Sequence, residues 1–389
     1  MYKHMIYEQR QEFKMKKTAF FLITVFLAQF FFAFPVSASP VISAKSAVVI
    51  DADSGKILYE RDAHTRRGMA STTKIMTALV ALENAPTDML VTVDPRACGV
   101  EGSSVYLFEG EQITMETLLY ALMLQSANDA AEAIAYAVSG SIEGFADLMN
   151  RKADELGLTA THFDNPHGLD GETHYTTAYE LALIAARAMQ NEAFREIVST
   201  VKKTVPLHNG EASRLLVNHN RLLREYDDII GVKTGYTKKC GRTLVSAAEQ
   251  NGIRLICVTL NDGNDWADHR VLLDLGFSLY GEVSLSDPVS YEVPVCGGTL
   301  PSVCVRTREH PTAILPQCHG SISAVTEMPR FLYAGVCEGD VVGRVVFYAD
   351  GIAVGEALLY AENTVPIAEK EKSFWKKFFS FLRERKREL

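Results

Sequence analysis

Two residues three apart in the sequence, Ser71 and Lys74, pair a hydroxyl with an amine at the start of an apolar stretch. Residues three apart share a face of a helix, so the Lys74 amine can reach the Ser71 hydroxyl. A hydroxyl attacks poorly near neutral pH unless a base takes its proton, and a lysine is such a base only when burial or another cation lowers its pKa. The pair predicts a serine nucleophile with a lysine base, at a helix start whose free N–H groups can face developing negative charge.

Two further groups follow at long intervals. Ser126-Ala127-Asn128 lies in a predicted break between two helices, and Lys233-Thr234-Gly235 comes much later in the chain, ahead of a strand-like run. Taken alone, the first group is a helix cap and the second a turn with a solvated lysine. The order SxxK, SxN and KTG is much more specific than any of its parts, because it is the combination found in penicillin-binding proteins and class A β-lactamases.

The residues that flank these three groups indicate a more specific resemblance. The stretches ASTTKIMT at 70–77, NPHGLD at 165–170 and GVKTGYT at 231–237 resemble the low-molecular-weight penicillin-binding proteins, which are D-alanyl-D-alanine carboxypeptidases of the serine peptidase S11 family. The stretch NHNRLLREY at 218–226 is also similar to the segment that precedes KTG in that family. The middle triplet is SAN here, where the signature is usually written SDN.

The resemblance implies a catalytic group and a substrate-binding group. The catalytic group would form an acyl-enzyme with a peptidoglycan stem peptide ending in D-Ala-D-Ala and then hydrolyse it; it comprises Ser71, Lys74, Ser126 and Asn128. The substrate-binding group would hold the terminal carboxylate and the carbonyl oxygen; it comprises Lys233, Thr234, Gly235 and Tyr236. The resemblance also implies covalent inhibition by β-lactam antibiotics and requires no metal or organic cofactor. Whether His219 or Arg221 helps to bind the carboxylate stays open.

Two alternatives come from other functional classes. A class A-like β-lactamase would share Ser71, Lys74 and KTG, but it needs a glutamate in an ExxLN motif, and none lies between Asn128 and Lys233. A non-catalytic cell-wall scaffold would have no chemical reason to keep all the reactive side chains. The His and Cys residues show neither HExxH nor CxxC spacing, so no metal site is predicted.

The elements that must position these side chains indicate an α+β protein. A hairpin around Asp51–Gly55 precedes predicted helices at 71–82, 114–124, 129–138, 142–156 and 177–189. Strand-like runs return at 242–247 and 254–260, followed by a helix at 266–280. This order predicts an antiparallel sheet with helices packed on it, as in the penicillin-binding-protein and β-lactamase-like fold. Short alternating runs after about residue 284 predict a small β-rich domain.

The two ends of the chain differ from the middle. Residues 1–38 have a basic start, an apolar run and small residues before Ala38, the pattern of a cleaved signal peptide. Residues 367–389 contain aromatic and cationic side chains that would fall on opposite faces of a helix, which predicts an amphipathic membrane anchor. The expected arrangement is therefore a catalytic domain at 39–283, a β-rich domain at 284–366 and the anchor, in a protein exported to the outer face of the bacterial cytoplasmic membrane or the cell wall.

The charge distribution supports this placement. The whole chain has a formal charge of -9, but the segment 1–38 carries +3 and the segment 369–389 carries +4. The remaining body carries -16. A body of that sign opposes general binding to nucleic-acid phosphates, whereas a basic end suits attachment to an anionic membrane surface.

Overall fold

The computed structural model describes residues 40–207, 212–286, 290–369 and Phe379. The signal-peptide prediction at 1–38 and nearly all of the predicted anchor lie outside these residues. The chain divides into two units, residues 1–42 and 43–389; of the first, the described residues 40–42 form neither helix nor strand.

The described elements of the second unit follow the order expected from the sequence. The α-helices are α1 (Lys74–Asn84), α2 (Met115–Leu124), α3 (Asn128–Ser139), α4 (Ile142–Glu155), α5 (Ala178–Ala188), α6 (Glu192–Ser199), α7 (Leu222–Glu225) and α8 (Asp265–Ser278). Short 3-10 helices occupy Ala70–Thr73 and Pro95–Ala97. The strands are β1 (Ser46–Asp51), β2 (Ile57–Arg61), β3 (Leu90–Thr92), β4 (Gln112–Thr114), β5 (Lys202–Leu207), β6 (Ala212–Val217), β7 (Ile229–Thr237), β8 (Gly241–Gln250), β9 (Ile253–Asp262), β10 (Tyr280–Ser284), β11 (Tyr291–Cys296), β12 (Ser302–Thr307), β13 (Thr312–Pro316), β14 (Ile322–Glu327), β15 (Leu332–Tyr333), β16 (Val341–Ala349) and β17 (Ile352–Ala361).

A five-stranded antiparallel sheet is the platform of the first part of this unit. Its order is β2-β1-β9-β8-β7, so β1 at the beginning of the unit pairs with β9, which follows the helical region in the sequence. Alternate residues on β1 and β9 face opposite sides: Val48 and Ile256 join the large core shared with α1 to α6, whereas Val49 and Leu255 face α8. The sheet therefore has helices packed on it, as the sequence predicted, and the structure shows them on both faces.

One glycine permits the close packing of α8. A Cβ atom at Gly276 would lie 2.8 Å from Leu255 Cδ1 and 3.0 Å from Val49 Cγ1. Both distances are shorter than ordinary van der Waals contact, so any larger residue here would displace the Leu255 and Val49 side chains. The helix that follows the catalytic sheet is thus held directly on strands β1 and β9.

The β-rich part of the chain is built on a six-stranded sheet of order β14-β16-β17-β12-β11-β15, and β10 pairs with β13 beside it. Only the short segment 328–331 joins β14 to β15, which stand at opposite ends of that order. A segment of this length spans at most about 17 Å. If the sheet were flat, the distance between its two end strands would be about 24 Å. The sheet must therefore curl so that its ends approach each other, enclosing small valine-rich cores around Val303 and Val345.

Candidate active site

The predicted nucleophile lies in a tight turn ahead of α1. The sequence predicts a helix from Ser71, but the α-helix begins at Lys74 and Ser71 lies within the preceding 3-10 helix. The Thr73 hydroxyl donates to the Ala70 carbonyl at 2.7 Å, a local bond that competes with regular helix geometry. Ala70 has a φ of +49°, a left-handed conformation that is uncommon outside glycine and is often found at functional sites.

The Lys74 amine is fully buried and meets three oxygen atoms. Its Nζ lies 3.2 Å from Ser71 Oγ, 2.7 Å from Asn128 Oδ1 and 2.6 Å from the carbonyl oxygen of His167. Burial and, to a smaller extent, the charge of Lys233 lower the pKa of Lys74 well below its ordinary value, while Asp129 acts in the opposite direction. The lysine is therefore placed where its uncharged form is favoured.

The chemistry of the three oxygen atoms fixes how a neutral amine is oriented. The Asn128 amide oxygen and the His167 carbonyl oxygen can only accept hydrogen bonds, so they take the two N–H bonds of a neutral amine. The third direction, which carries the lone pair, then faces the Ser71 hydroxyl, and that hydroxyl can donate its proton. This is the geometry that a general base needs toward its nucleophile.

The second lysine, Lys233, lies inside β7 rather than in a turn. It is 1% exposed, and its Nζ donates to the Thr234 carbonyl at 2.8 Å. Burial lowers the pKa of Lys233 to about 7. Because β7 is the edge strand of the five-stranded sheet, one side of its backbone is not paired with another strand of that sheet.

Gly235 brings this edge strand against the predicted nucleophile, Ser71. A Cβ atom at this position would lie 3.0 Å from Ser71 N, 3.1 Å from Thr72 N and 2.4 Å from Thr243 Oγ1. The KTG strand and the SxxK turn are thus in direct contact, although they lie far apart in the sequence. Tyr236, the next residue, is largely exposed.

The SAN triplet forms the opposite side of the site. Ser126 is buried with a φ of +59°, and among the described residues its hydroxyl has no hydrogen-bond partner. Asn128 begins α3, and its Nδ2 donates to the Glu101 carbonyl at 2.6 Å while its Oδ1 accepts from Lys74. The side chain therefore connects Lys74 to the loop that contains Glu101.

Asp129 is a functional candidate that the sequence interpretation missed. Its fully buried carboxylate accepts from Ser104 Oγ at 2.6 Å and from the backbone N–H groups of Val105 and Leu107. This fixes the loop that covers the SAN side of the site. The signal that could have revealed it is an acidic residue in the first turn of a helix, directly beside a predicted catalytic residue.

The NPHGLD stretch at 165–170 contacts the SxxK motif and the residues just beyond KTG. The His167 carbonyl accepts from Lys74, and the Asp170 carboxylate accepts from Thr237 Oγ1 and from Cys240 Sγ, both at 3.1 Å, just beyond the KTG triplet. At Gly168, with a φ of +90°, a Cβ atom would lie 1.9 Å from the Ala70 carbonyl oxygen. The loop is therefore in close contact with Ala70, the residue that precedes Ser71.

His174 supports the same turn from behind. Its Nδ1 accepts the Asp164 backbone N–H at 3.0 Å, so the neutral ring carries its proton on Nε2, which lies 2.7 Å from Thr73 Oγ1. Burial lowers the pKa of His174 to about 4, which keeps the ring neutral near pH 7. A chain of hydrogen bonds thus runs from His174 through Thr73 to Ala70.

The structure separates the two residues between which the sequence could not choose. Arg221 forms an ion pair with Glu225 at 3.1 Å and lies over the Trp266 ring. His219 is instead close enough to Lys233 for that charge, together with burial, to lower the pKa of the imidazole. Among the described residues, no group of three or more His, Cys, Asp or Glu side chains is arranged to hold a metal ion.

Comparison with known proteins gives a consistent result. A model of the peptidase S11 family, described as D-alanyl-D-alanine carboxypeptidase, matches residues 34–264, which is more than half of the chain. The D-alanyl-D-alanine carboxypeptidase DacF of Bacillus subtilis is 33% identical over 353 residues, covering 87% of this chain and 88% of its own length. DacB2 of Mycobacterium tuberculosis is 36% identical over 250 residues, covering 62% of this chain and 85% of its own length.

Solved structures agree with these relatives. Penicillin-binding protein 5 from Haemophilus influenzae is similar with a TM-score of 0.60 and 28% identity, over 85% of this chain and 99% of that chain. The Streptomyces K15 DD-transpeptidase has a TM-score of 0.59 and 34% identity, over 62% of this chain and 99% of that chain. These findings confirm the predicted fold class and do not favour the β-lactamase or scaffold alternatives. The chain belongs to the peptidase S11 family and is a serine-type D-alanyl-D-alanine carboxypeptidase.

Proposed function

We propose that Ser71 is the nucleophile of this carboxypeptidase and that Lys74 is its general base. The observation that carries the proposal is the buried Lys74 amine, which has two pure acceptors at 2.6 and 2.7 Å and the Ser71 hydroxyl at 3.2 Å. Within the described part of the chain, the hydrogen-bond partners of Ser71 and Lys74 include no carboxylate. An amine rather than an acid is therefore the group positioned to take the nucleophile's proton.

The substrate is a peptidoglycan stem peptide that ends in D-Ala-D-Ala. Lys233 and the Thr234 hydroxyl bind its terminal carboxylate, and His219 contributes a neutral imidazole donor beside Lys233. The backbone N–H groups of Ser71 and Tyr236 bind the carbonyl oxygen of the scissile bond. Gly235 supports this arrangement because its missing side chain lets β7 approach Ser71 N. A single donor of such an oxyanion site is worth roughly 3 kcal/mol of transition-state stabilisation.

The reaction proceeds in two steps. Ser71 Oγ attacks the carbonyl carbon while its proton passes to Lys74; the peptide C–N bond then breaks, the leaving nitrogen takes a proton relayed through Ser126, and D-Ala departs. Water next attacks the acyl-enzyme, loses a proton to the same base, and releases the shortened peptide from Ser71. The hydroxyl of Ser126, which has no partner among the described residues, is available for the relay. A β-lactam enters the first step and remains attached to Ser71.

Covalent labelling tests the assignment of the nucleophile. Labelled penicillin should attach to the wild-type protein and to Ser278→Ala, a variant of an exposed serine on α8, but not to Ser71→Ala. Release of free D-Ala from a peptide ending in D-Ala-D-Ala should show the same pattern. Labelling of Ser71→Ala at the wild-type rate, with its thermal unfolding unchanged, would contradict the proposal.

We also propose the division of the chain and its placement in the cell. Residues 1–38 direct export, 39–283 form the catalytic domain, 284–366 form the β-rich domain, and the remaining residues anchor the protein at the outer face of the membrane. Strand β10 carries the chain across the boundary at 284 and pairs with β13. No helix among the described residues is long and apolar enough to cross a bilayer.

Deletion of the tail tests the anchor. Removal of residues 370–389 should abolish binding to vesicles that contain anionic phosphatidylglycerol, while D-Ala release from a soluble peptide is kept. Tight vesicle binding by the shortened chain would contradict the anchor and leave the assignment of Ser71 untouched.

A further inference from the structure

The outer face of the edge strand β15 is unusually apolar. Along residues 331–336, Leu332, Ala334 and Val336 turn inward to the core of the β-rich domain, so residues 331, 333 and 335 face outward. Strand β15 pairs in parallel with β11 at the end of the sheet, and polar residues are expected on the solvent-facing side of such an exposed edge. The outward residues here are instead Phe331, 47% exposed, and Tyr333, 75% exposed. Their rings pack edge to face with centroids 5.5 Å apart.

Two more exposed apolar side chains continue this surface. A Cβ atom at Gly335, the next outward position after Tyr333, would lie 3.9 Å from Ile367 Cγ1, and Ile367 is itself 70% exposed. Ile367 pairs with Gly298, and Thr299 N donates to the Pro366 carbonyl, which places the exposed Leu300 in the adjoining turn. We call Leu300, Phe331, Tyr333 and Ile367 the exit patch.

The exit patch lies where the chain leaves the β-rich domain. Ile367 is followed closely by the tail at 370–389, which contains eight Lys or Arg side chains and the stretch SFWKKFFSFL. A contiguous exposed apolar surface commonly marks a contact site, and Phe and Tyr beside basic residues suit the headgroup region of a membrane. Exposed Arg330 adjoins Phe331, and no carboxylate among the described residues forms an ion pair with it.

We propose that the exit patch inserts into the headgroup region of an anionic bilayer, as a second contact beside the tail. The inference rests on the proposed anchoring by the tail, which would bring this surface to the membrane. A tail alone lets the body rotate about one attachment. A second contact at Phe331 and Tyr333 restricts that rotation, so the active site keeps a defined direction relative to the membrane.

Vesicle binding of the full exported chain tests the proposal. The variant Phe331→Ser/Tyr333→Ser is compared with Leu90→Ser/Val271→Ser, which removes two exposed apolar side chains from the catalytic domain, 58% and 45% exposed. With vesicles of phosphatidylcholine and phosphatidylglycerol, the patch variant should bind about tenfold or more weakly than wild type, and the control variant should bind like wild type. D-Ala release from a soluble peptide should be unchanged in both variants.

Hydrogen exchange of the same proteins identifies what covers the patch. Backbone amides of residues 330–335 should become protected when anionic vesicles are added, and those of residues 89–92 should not. Equal vesicle binding by the patch and control variants would overturn the proposal. Protection of residues 330–335 in the absence of vesicles would also overturn it. If that protection is lost when residues 370–389 are deleted, the chain's own tail covers the patch. If the protection depends on protein concentration, a second copy of the chain covers it. If the tail deletion abolishes binding while the patch variant binds like wild type, the anchor stands and the patch proposal fails.

Discussion

Gly168 offers the sharpest test of how the nucleophile is positioned. Its Cβ position lies 1.9 Å from the Ala70 carbonyl oxygen, whereas ordinary contact begins near 3.4 Å. Gly168→Ala must therefore move the 165–170 loop or the turn before Ser71 by about 1.5 Å. Because a misplacement of 1 Å can cost about 100-fold in rate, we expect kcat/KM for a D-Ala-D-Ala peptide to fall by at least about 100-fold.

A matched variant separates this effect from backbone strain. Gly140, at the end of α3, has a φ of +80°, close to the +90° of Gly168, but a Cβ atom there would meet nothing within 4 Å. Both substitutions should lower the free energy of unfolding by about 1–3 kcal/mol through the left-handed backbone. Only Gly168→Ala should also slow acylation by labelled penicillin, measured well below each unfolding midpoint. Acylation rates within threefold of each other for the two variants would refute the reasoning.

Three further predictions concern charge in the site. First, kcat/KM should rise with pH as Lys74 loses its proton and fall again above about pH 7, because a deprotonated Lys233 no longer attracts the substrate carboxylate; a flat profile from pH 6 to 9 would contradict this. Second, Asp129→Asn should lower the free energy of unfolding by about 2 kcal/mol in denaturant titrations and move the acidic limb to lower pH, since it removes a carboxylate charge that raises the pKa of Lys74. Third, His219→Ala should raise KM severalfold in steady-state assays while Arg221→Ala leaves it unchanged; the reverse order would assign the carboxylate contact to Arg221.

Most of the long helices could be predicted from the sequence. The helices now seen as α2 to α5 and α8 were predicted to within a residue or two at each end. Thr114, Ser141 and Thr177 cap the first turns of α2, α4 and α5, and Gly140 ends α3, so most of these bounds carry a local signal. No element was predicted between Met189 and Asn218, where the structure has α6 and the β5–β6 hairpin. That hairpin contains Pro206 and two lysines, and it is held by a distant ion pair between Arg214 and the buried Glu111 rather than by local periodicity.

The candidate site was predictable where its chemistry lies in side chains. The motif order predicted Ser71, Lys74, Asn128 and Gly235, and the structure brings these four together. The His167 contact could not be foreseen, because it is made by a backbone carbonyl, which every residue type possesses. Such contacts depend on where the loop lies, and that is decided by packing across the whole domain.

The burial of Lys233 also offers a reason why a carboxypeptidase removes the C-terminal residue of a peptide and does not cleave internal peptide bonds. Its ammonium has been removed from water, and among the described residues its Nζ bonds only to a neutral carbonyl. Holding a cation there is costly until an anion arrives. A free C-terminus supplies that anion, whereas an amidated or extended chain does not. If Lys233 binds the substrate carboxylate as proposed, the enzyme selects a free C-terminus because that anion balances the buried charge of Lys233.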